Sequence, residues 1–164
     1  MLFVAAIIPM LIGAIYYSPM VAGKGWMKVN GFTDESMKVG NMAVIFGVSY
    51  LFSLFIAFIL SGFVIHQAGV IQMVMPEALE SGSAAQKTFN ELMLTYGDHH
   101  RSFGHGAIHG ILITLLFVLP IIGINGLFER KGWKYIMIHF GYWLVTLTLM
   151  GGLLCQTLTY APLS

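Results

Sequence analysis

Charged side chains and cysteines are both scarce in this sequence. Asp, Glu, Lys and Arg together make up 9% of its 164 residues, whereas hydrophobic residues make up 57% and the mean hydropathy is +0.81. A soluble domain carries about 25% charged residues, so this chain has too few to cover a surface in water. Its net charge of +1 offers no basic face for a nucleic-acid partner, and its one cysteine, Cys155, excludes an internal disulfide. The composition predicts an integral membrane protein.

Four apolar segments are long enough to cross a bilayer, which requires about 20 helical residues. None of the four contains Asp, Glu, Lys or Arg, and they cover residues 2–21, 42–65, 106–127 and 135–158. They lack the alternation of a barrel strand, and no basic stretch precedes the first, which is interpreted as a retained helix rather than a signal peptide. We predict an all-α integral membrane protein, a single four-transmembrane-helix bundle over residues 1–164.

Basic residues are concentrated in the loops at one end of this bundle. The other end has Lys87 and Arg101, whereas six basic residues follow the first segment or separate the third from the fourth: Lys24, Lys28, Lys38, Arg130, Lys131 and Lys134. The positive-inside rule places the richer end in the cytoplasm. Both termini and the long loop at residues 66–104 are then expected on the outer, periplasmic side of a bacterial inner membrane, with the lipid bilayer as the first partner.

Local patterns add detail to this topology. Ser83 and Gln86 form a capping box ahead of apolar residues at helical spacing, including Phe89 and Met93, which predicts an amphipathic helix in the outer loop. Thr33 is a candidate N-cap for a short helix on the inner side. Pro9 and Pro120 are expected to kink their helices. A stripe of small residues, Gly106, Gly110 and Thr114, is expected to let another helix of the same chain approach closely.

Four segments of the sequence resemble one bacterial family. They are GAIYYSPMVAGKGWM at 13–27, GFTDESM at 31–37, GINGLFERKGWKY at 123–135 and HFGYWLVTLTLMGGLL at 139–154. The resemblance is to small four-helix membrane proteins catalogued as domain of unknown function seventeen-sixty-one. It covers most of the chain and implies a four-helix topology. It implies no activity, substrate or cofactor.

Histidines are clustered on the outer side. His99 and His100 precede the third helix, His105 and His109 share one face of its first turns, and His66 ends the second helix. The hairpin between these helices makes them neighbours, so His66, His105 and His109, with His99, His100 and Asp98 above them, are candidate ligands for zinc or copper. A b-type haem held by His66 with His105 or His109 is an alternative.

A third interpretation, preferred from sequence, needs no cofactor. His99 and His100 are then exposed, and His105 and His109 hydrogen-bond to loop carbonyls at the membrane interface. No catalytic motif is present, such as Gly-x-Ser-x-Gly or His-Glu-x-x-His. The chain is therefore expected to be non-catalytic, either as an accessory subunit of a larger membrane complex or as a homo-oligomer. Two alternatives are a metal- or haem-binding protein and a dimeric transporter of a lipid or small apolar molecule.

Overall fold

The protein is built from α-helices joined by short turns, and its computed structural model describes residues 1–163. No strand occurs among these residues. The helices are α1 (Leu2–Ala5), α2 (Ile8–Tyr16), α3 (Gly23–Asn30), α4 (Met42–Val64), α5 (Gln67–Val74), α6 (Ala84–Tyr96), α7 (Phe103–Ile113), α8 (Leu119–Phe128) and α9 (Gly132–Thr157). Short 3-10 turns occur at Ser36–Lys38 and Glu77–Leu79, and a π-helical turn at Thr114–Val118 joins α7 to α8.

Within residues 1–163, three helical stretches are long and apolar enough to cross a membrane. They are α4, the continuous run Phe103–Phe128, and α9. Their bounds agree closely with the second, third and fourth apolar segments of the sequence. The prediction of an all-helical chain is therefore confirmed for residues 1–163, and three of the four predicted segments form helices of sufficient length and hydropathy to cross a membrane.

The first apolar segment differs from the single helix expected at residues 2–21. It forms α1 and α2, interrupted after Ala5 and ending at Tyr16. Pro9 lacks the N–H that would bond to the Ala5 carbonyl, which explains the interruption. Pro19 disfavours helical geometry at Ser18, which explains the early end. The 15 residues from Leu2 to Tyr16 extend about 22 Å at 1.5 Å per residue, less than a hydrocarbon core of about 30 Å.

Pro120 also alters its helix, as the sequence predicts. Because proline has no N–H, the carbonyl four residues earlier loses its helical partner. The π turn at Thr114–Val118 lies directly before this proline and contains that carbonyl, which belongs to Leu116. A wider turn is a common response to a missing helical hydrogen bond. The helical run Phe103–Phe128 is thereby continuous but locally widened.

Glycines bring α7 and α9 into direct backbone contact. A Cβ added at Gly106 would overlap the Gly151 carbonyl oxygen, and one at Gly110 would overlap the Leu147 carbonyl. Gly152 receives the Phe103 ring, whose nearest atom would lie 2.6 Å from an added Cβ. The predicted packing of the small-residue stripe within the same chain is confirmed. Beside this pair, α4 packs on α9 through a buried apolar cluster, formed by Ala57, Leu60, Val64, Leu147, Met150 and Leu154.

The outer loop folds into a small cap of its own. The expected amphipathic helix is α6, where the N–H of Gln86 donates to Ser83 Oγ at 3.0 Å. Its buried face, Phe89 and Met93, packs on apolar residues of α5 and of the C-terminal tail. The tail is held by Asn90, whose side chain bonds both backbone groups of Leu163, at 2.7 and 2.9 Å.

The inner loop differs from the sequence expectation. Thr33 and Ser36 do exchange capping bonds, at 2.9 and 3.2 Å, but they enclose only the 3-10 turn Ser36–Lys38 instead of a short helix. Gly40 follows this turn, and Asn41 caps α4 by accepting the Val44 N–H at 3.2 Å. The helix on this side is α3, which precedes Thr33 and ends at Gly31 in the left-handed conformation, with φ of 70°.

Candidate metal centre

Two separate elements bring three histidines together at the outer end of the bundle. His66 lies at the bend where α4 ends and α5 begins, because Ile65 adopts extended backbone angles. His105 and His109 occupy the first turns of α7, whose N-terminus is capped by Ser102 accepting the His105 N–H at 3.2 Å. The glycine contact with α9 lies about 100° around α7, next to the histidine face. The helix pair therefore fixes the direction in which His105 and His109 project.

The imidazole nitrogens of these residues converge. His105 Nε2 lies 2.9 Å from His66 Nε2 and 3.1 Å from His109 Nε2. All three residues offer ligand atoms within 4.8 Å of one another, with His66 exposed and the other two half-buried. This residue set alone forms such a group among residues 1–163. The structure thus joins the three candidates that the sequence placed on neighbouring helices.

Hydrogen bonding among neutral imidazoles accounts poorly for this geometry. A neutral ring nitrogen either donates one proton or accepts at one in-plane lone pair. His105 Nε2 has a second nitrogen at hydrogen-bond distance on each side, so one of its two contacts lacks a good donor–acceptor match. A cation between the three lone pairs would satisfy all of them. In tetrahedral zinc with Zn–N bonds of about 2.0–2.1 Å, ligand nitrogens lie about 3.3 Å apart, close to the two distances from His105 Nε2.

The other three predicted ligands, His100, His99 and Asp98, do not belong to the converging group. The His100 ring stacks on the His105 ring, with centroids 5.1 Å apart, and lies edge-on to His66 at 5.6 Å. His99 packs edge-on against Tyr96 at 5.2 Å, and Asp98 is exposed. His100 is therefore a flanking residue, whereas the structure does not bring Asp98 or His99 to the converging nitrogens.

A left-handed residue links the histidine loop to α9. His100 has φ of 60°, a conformation that is unusual for a residue with a side chain. Its carbonyl accepts a hydrogen bond from the Cys155 thiol at 3.3 Å. Cys155 is fully buried on α9, so its sulfur supports the loop rather than joining the histidine nitrogens.

The geometry does not suit a b-type haem between His66 and His105. Two axial nitrogens on opposite faces of a haem must lie about 4 Å apart, twice a metal–nitrogen bond of about 2.0 Å. His66 and His105 Nε2 are 2.9 Å apart, and the His105 ring centroid lies within 4.9 Å of both other rings. A porphyrin has no slot between these rings. A single small ion fits the site better.

A cavity of about 410 Å³ adjoins the converging histidines at His66, the one of the three that lines it. Exposed His66, His99 and His100 form part of its wall, and the remainder is formed by Gln67, Val70, Leu92, Met93 and Tyr96. Gln67 holds this wall in place, because its Nε2 donates to the carbonyls of Tyr96 at 2.6 Å and of His99 at 3.0 Å. No sequence pattern predicts this cavity, since its residues come from the bend after α4, from α5, from α6 and from the loop before α7.

The sixth histidine lies apart, at the inner end. His139 Nδ1 contacts the Tyr17 hydroxyl at 3.1 Å. With Asn125 and Glu129 it lines a smaller cavity of about 230 Å³. These three residues thus face one space, but among the described residues His139 does not belong to any group of three His, Cys, Asp or Glu side chains that could hold a metal ion.

Comparisons with known proteins give a family and no activity. No curated protein and no solved structure matches this chain at a significant level. The model of one family, described as a protein of unknown function, DUF1761, matches residues 1–155. That match covers α4, the run Phe103–Phe128, all but the last two residues of α9 and the three converging histidines, and it confirms the resemblance seen in the sequence. The chain belongs to the DUF1761 family.

Proposed function

We propose that this protein is a multi-pass membrane protein that binds one transition-metal ion through His66, His105 and His109. The observation that carries the proposal is the position of His105 Nε2, at 2.9 and 3.1 Å from the two other imidazole nitrogens. Neutral imidazole is a ligand for zinc, copper, iron and nickel. These contacts favour metal binding over the alternative in which the histidines bond to loop carbonyls.

Zinc and Cu²⁺ are the ions that suit this ligand set best. Both bind imidazole nitrogen strongly, and Cu²⁺ and Zn²⁺ lie at the high-affinity end of the divalent series. Three histidines with a fourth position left to a small ligand is also a common arrangement of catalytic zinc. The position of His105 and His109 on one rigid helix supplies two ligands at a fixed spacing. We assign zinc as the first ion to test.

The metal content of the purified protein tests this proposal. Protein extracted in mild detergent and dialysed against micromolar zinc is expected to retain about one zinc per chain by elemental analysis. His105→Ala is expected to lose it, because the central ligand is removed. His99→Ala is the matched control, since that residue lies in the adjoining loop but outside the converging group. Equal zinc content in the wild type and His105→Ala would overturn the proposal.

We further propose that four segments cross a bacterial inner membrane, with both termini outside. Two bonds support this assignment for the short first segment: Tyr142 on α9 donates to the Pro9 carbonyl at 2.9 Å, and Tyr50 on α4 donates to the Phe3 carbonyl at 3.2 Å. In support, α1 and α2 lie beside α4 and α9, two of the helices that are long and apolar enough to cross a membrane. The asymmetry of basic residues supports the orientation.

Cysteine labelling tests the orientation. Cys155→Ser removes the single native thiol and keeps a donor for the His100 carbonyl. In that background, a cysteine at Ser83 is expected to react with a membrane-impermeant maleimide on intact spheroplasts. A cysteine at Ser36 is expected to react only after lysis. The reverse pattern would place the histidine site on the cytoplasmic side.

A further inference from the structure

We propose that the metal keeps one coordination position open toward the cavity of about 410 Å³, and that this position binds an acyl amphiphile. The oxygen-bearing head of the molecule ligates the metal, and its short apolar chain occupies the cavity. This inference rests on the proposed metal site and deepens it by naming the class of ligand.

The metal site and the cavity share a wall. His66 contributes Nε2 to the converging group and also lines the cavity. His100 lines the cavity as well, and its ring lies against those of both His66 and His105. A molecule in the cavity is therefore in contact with a metal ligand. The fourth position of a tetrahedral ion points away from all three nitrogens, and we assign it to the side of the site where the His66 and His100 rings border the cavity.

The protein supplies three ligands to an ion that commonly takes four. Among residues 1–163 the converging group contains His66, His105 and His109. Cys155, the single cysteine of the sequence, already donates its thiol to the His100 carbonyl. Structural zinc sites are closed by four protein ligands, whereas sites that bind small molecules keep a position open. With three protein ligands, the set found here matches a site that keeps one coordination position open.

The cavity selects the kind of molecule that reaches this position. Val70, Leu92 and Met93 give it an apolar lining, and its volume falls within the range of about 300–1,000 Å³ that is usual for small-molecule sites. Three neutral imidazoles leave the charge of a divalent ion uncompensated, so an anionic oxygen head is favoured. An apolar chain with a carboxylate or hydroxamate head combines both features.

Cobalt and two hydroxamates test this inference. Co²⁺ can replace zinc in tetrahedral sites, where its visible absorption changes when a ligand binds. The cobalt-loaded, detergent-solubilised full-length protein is titrated with octanohydroxamate and with acetohydroxamate, which share a head and differ in chain length. We expect octanohydroxamate to bind at least tenfold more tightly, because each buried methylene contributes about 0.8 kcal/mol.

Three variants distinguish a failure of the cavity assignment from a failure of the proposed metal site. Val70→Trp and Leu92→Trp, which fill the cavity, are expected to keep the cobalt bands and to bind the two hydroxamates with equal affinity. His105→Ala is expected to lose the bands, so an absence of bands in the wild type would count against the metal site. Bands in the wild type with equal affinities for both hydroxamates would overturn the cavity assignment alone. Retention of the tenfold preference by both tryptophan variants would also overturn the cavity assignment.

Discussion

The Nε2 atoms of His66 and His105 lie 2.9 Å apart, although 39 residues separate them in the chain. The intervening residues form α5, α6 and their turns, which fold into the outer cap and return the chain to the same level of the bundle. The contact therefore joins the end of one membrane-spanning helix to the beginning of the next. Its consequences for stability can be measured separately from any activity.

Zinc is expected to stabilise the folded protein. A ligand that binds only the folded state at 100 times its Kd raises the free energy of unfolding by about 2.7 kcal/mol. We expect zinc to raise the thermal transition of the wild type in detergent and to leave that of His66→Ala unchanged, because one of three ligands is missing. His139→Ala, at the other end of the bundle, should respond to zinc as the wild type does. A zinc response in His66→Ala equal to that of the wild type would contradict the assignment of this residue as a ligand.

Gly110→Ala is expected to destabilise the protein. The added Cβ would overlap the carbonyl of Leu147 on α9, and overpacking of this kind costs about 1–3 kcal/mol. Gly123→Ala on α8 is the matched control, because an added Cβ there meets no described atom within 4 Å. The control should be neutral or slightly stabilising, since alanine favours helix over glycine by up to about 1 kcal/mol. Equal thermal transitions for the two variants would show that α7 and α9 can separate at little cost.

Tyr142→Phe is expected to loosen the first segment. The Tyr142 hydroxyl donates to the Pro9 carbonyl at 2.9 Å in a half-buried position, and such a bond contributes about 0.5–1.5 kcal/mol. Tyr50→Phe removes a longer, exposed bond to the Phe3 carbonyl, at 3.2 Å, and should have a smaller effect. Limited proteolysis near residues 17–22 measures both. Faster cleavage in Tyr50→Phe than in Tyr142→Phe would reverse the expected order.

Arg101→Met is expected to raise stability in nonionic detergent. All three guanidinium nitrogens of Arg101 are buried, without a hydrogen-bond partner among the described residues. A buried charge without a partner is costly, and an apolar side chain of similar length removes that cost. Lys87→Met, at an exposed position on α6, serves as the control and should change little. A lower thermal transition for Arg101→Met would mean that the guanidinium has a partner outside residues 1–163.

The sequence predicts the long helices well because each is set by its own composition. Uninterrupted apolar runs predict the ends of α4, the run Phe103–Phe128 and α9 to within three residues. The first segment is less predictable, because Pro9 and Pro19 act locally and their effect depends on neighbouring helices. In the inner loop, Thr33 has the chemistry of a helix cap, but the chain after it turns rather than continuing as a helix.

The histidine site is predictable in part, because two of its three residues are related by local helical spacing. The spacing of four between His105 and His109 places them on one face of a helix, and a hairpin makes His66 their neighbour. Which of the adjoining residues join them depends on loop backbone angles. The left-handed conformation of His100 and the Gln67 bonds that hold His99 have no signature in the local sequence. The cavity arises from three separate elements and is visible only once they are assembled.

Because of the glycine contact, the three histidines of the proposed metal site are not held equally firmly. His105 and His109 project from a helix locked against α9 at Gly106 and Gly110, whereas His66 lies at a bend with an exposed side chain. Two ligands thus lie on one helix that is fixed against α9, and the third lies at the bend between α4 and α5. An ion bound by all three would connect α4 to α7, so its affinity would depend on the distance between these two helices.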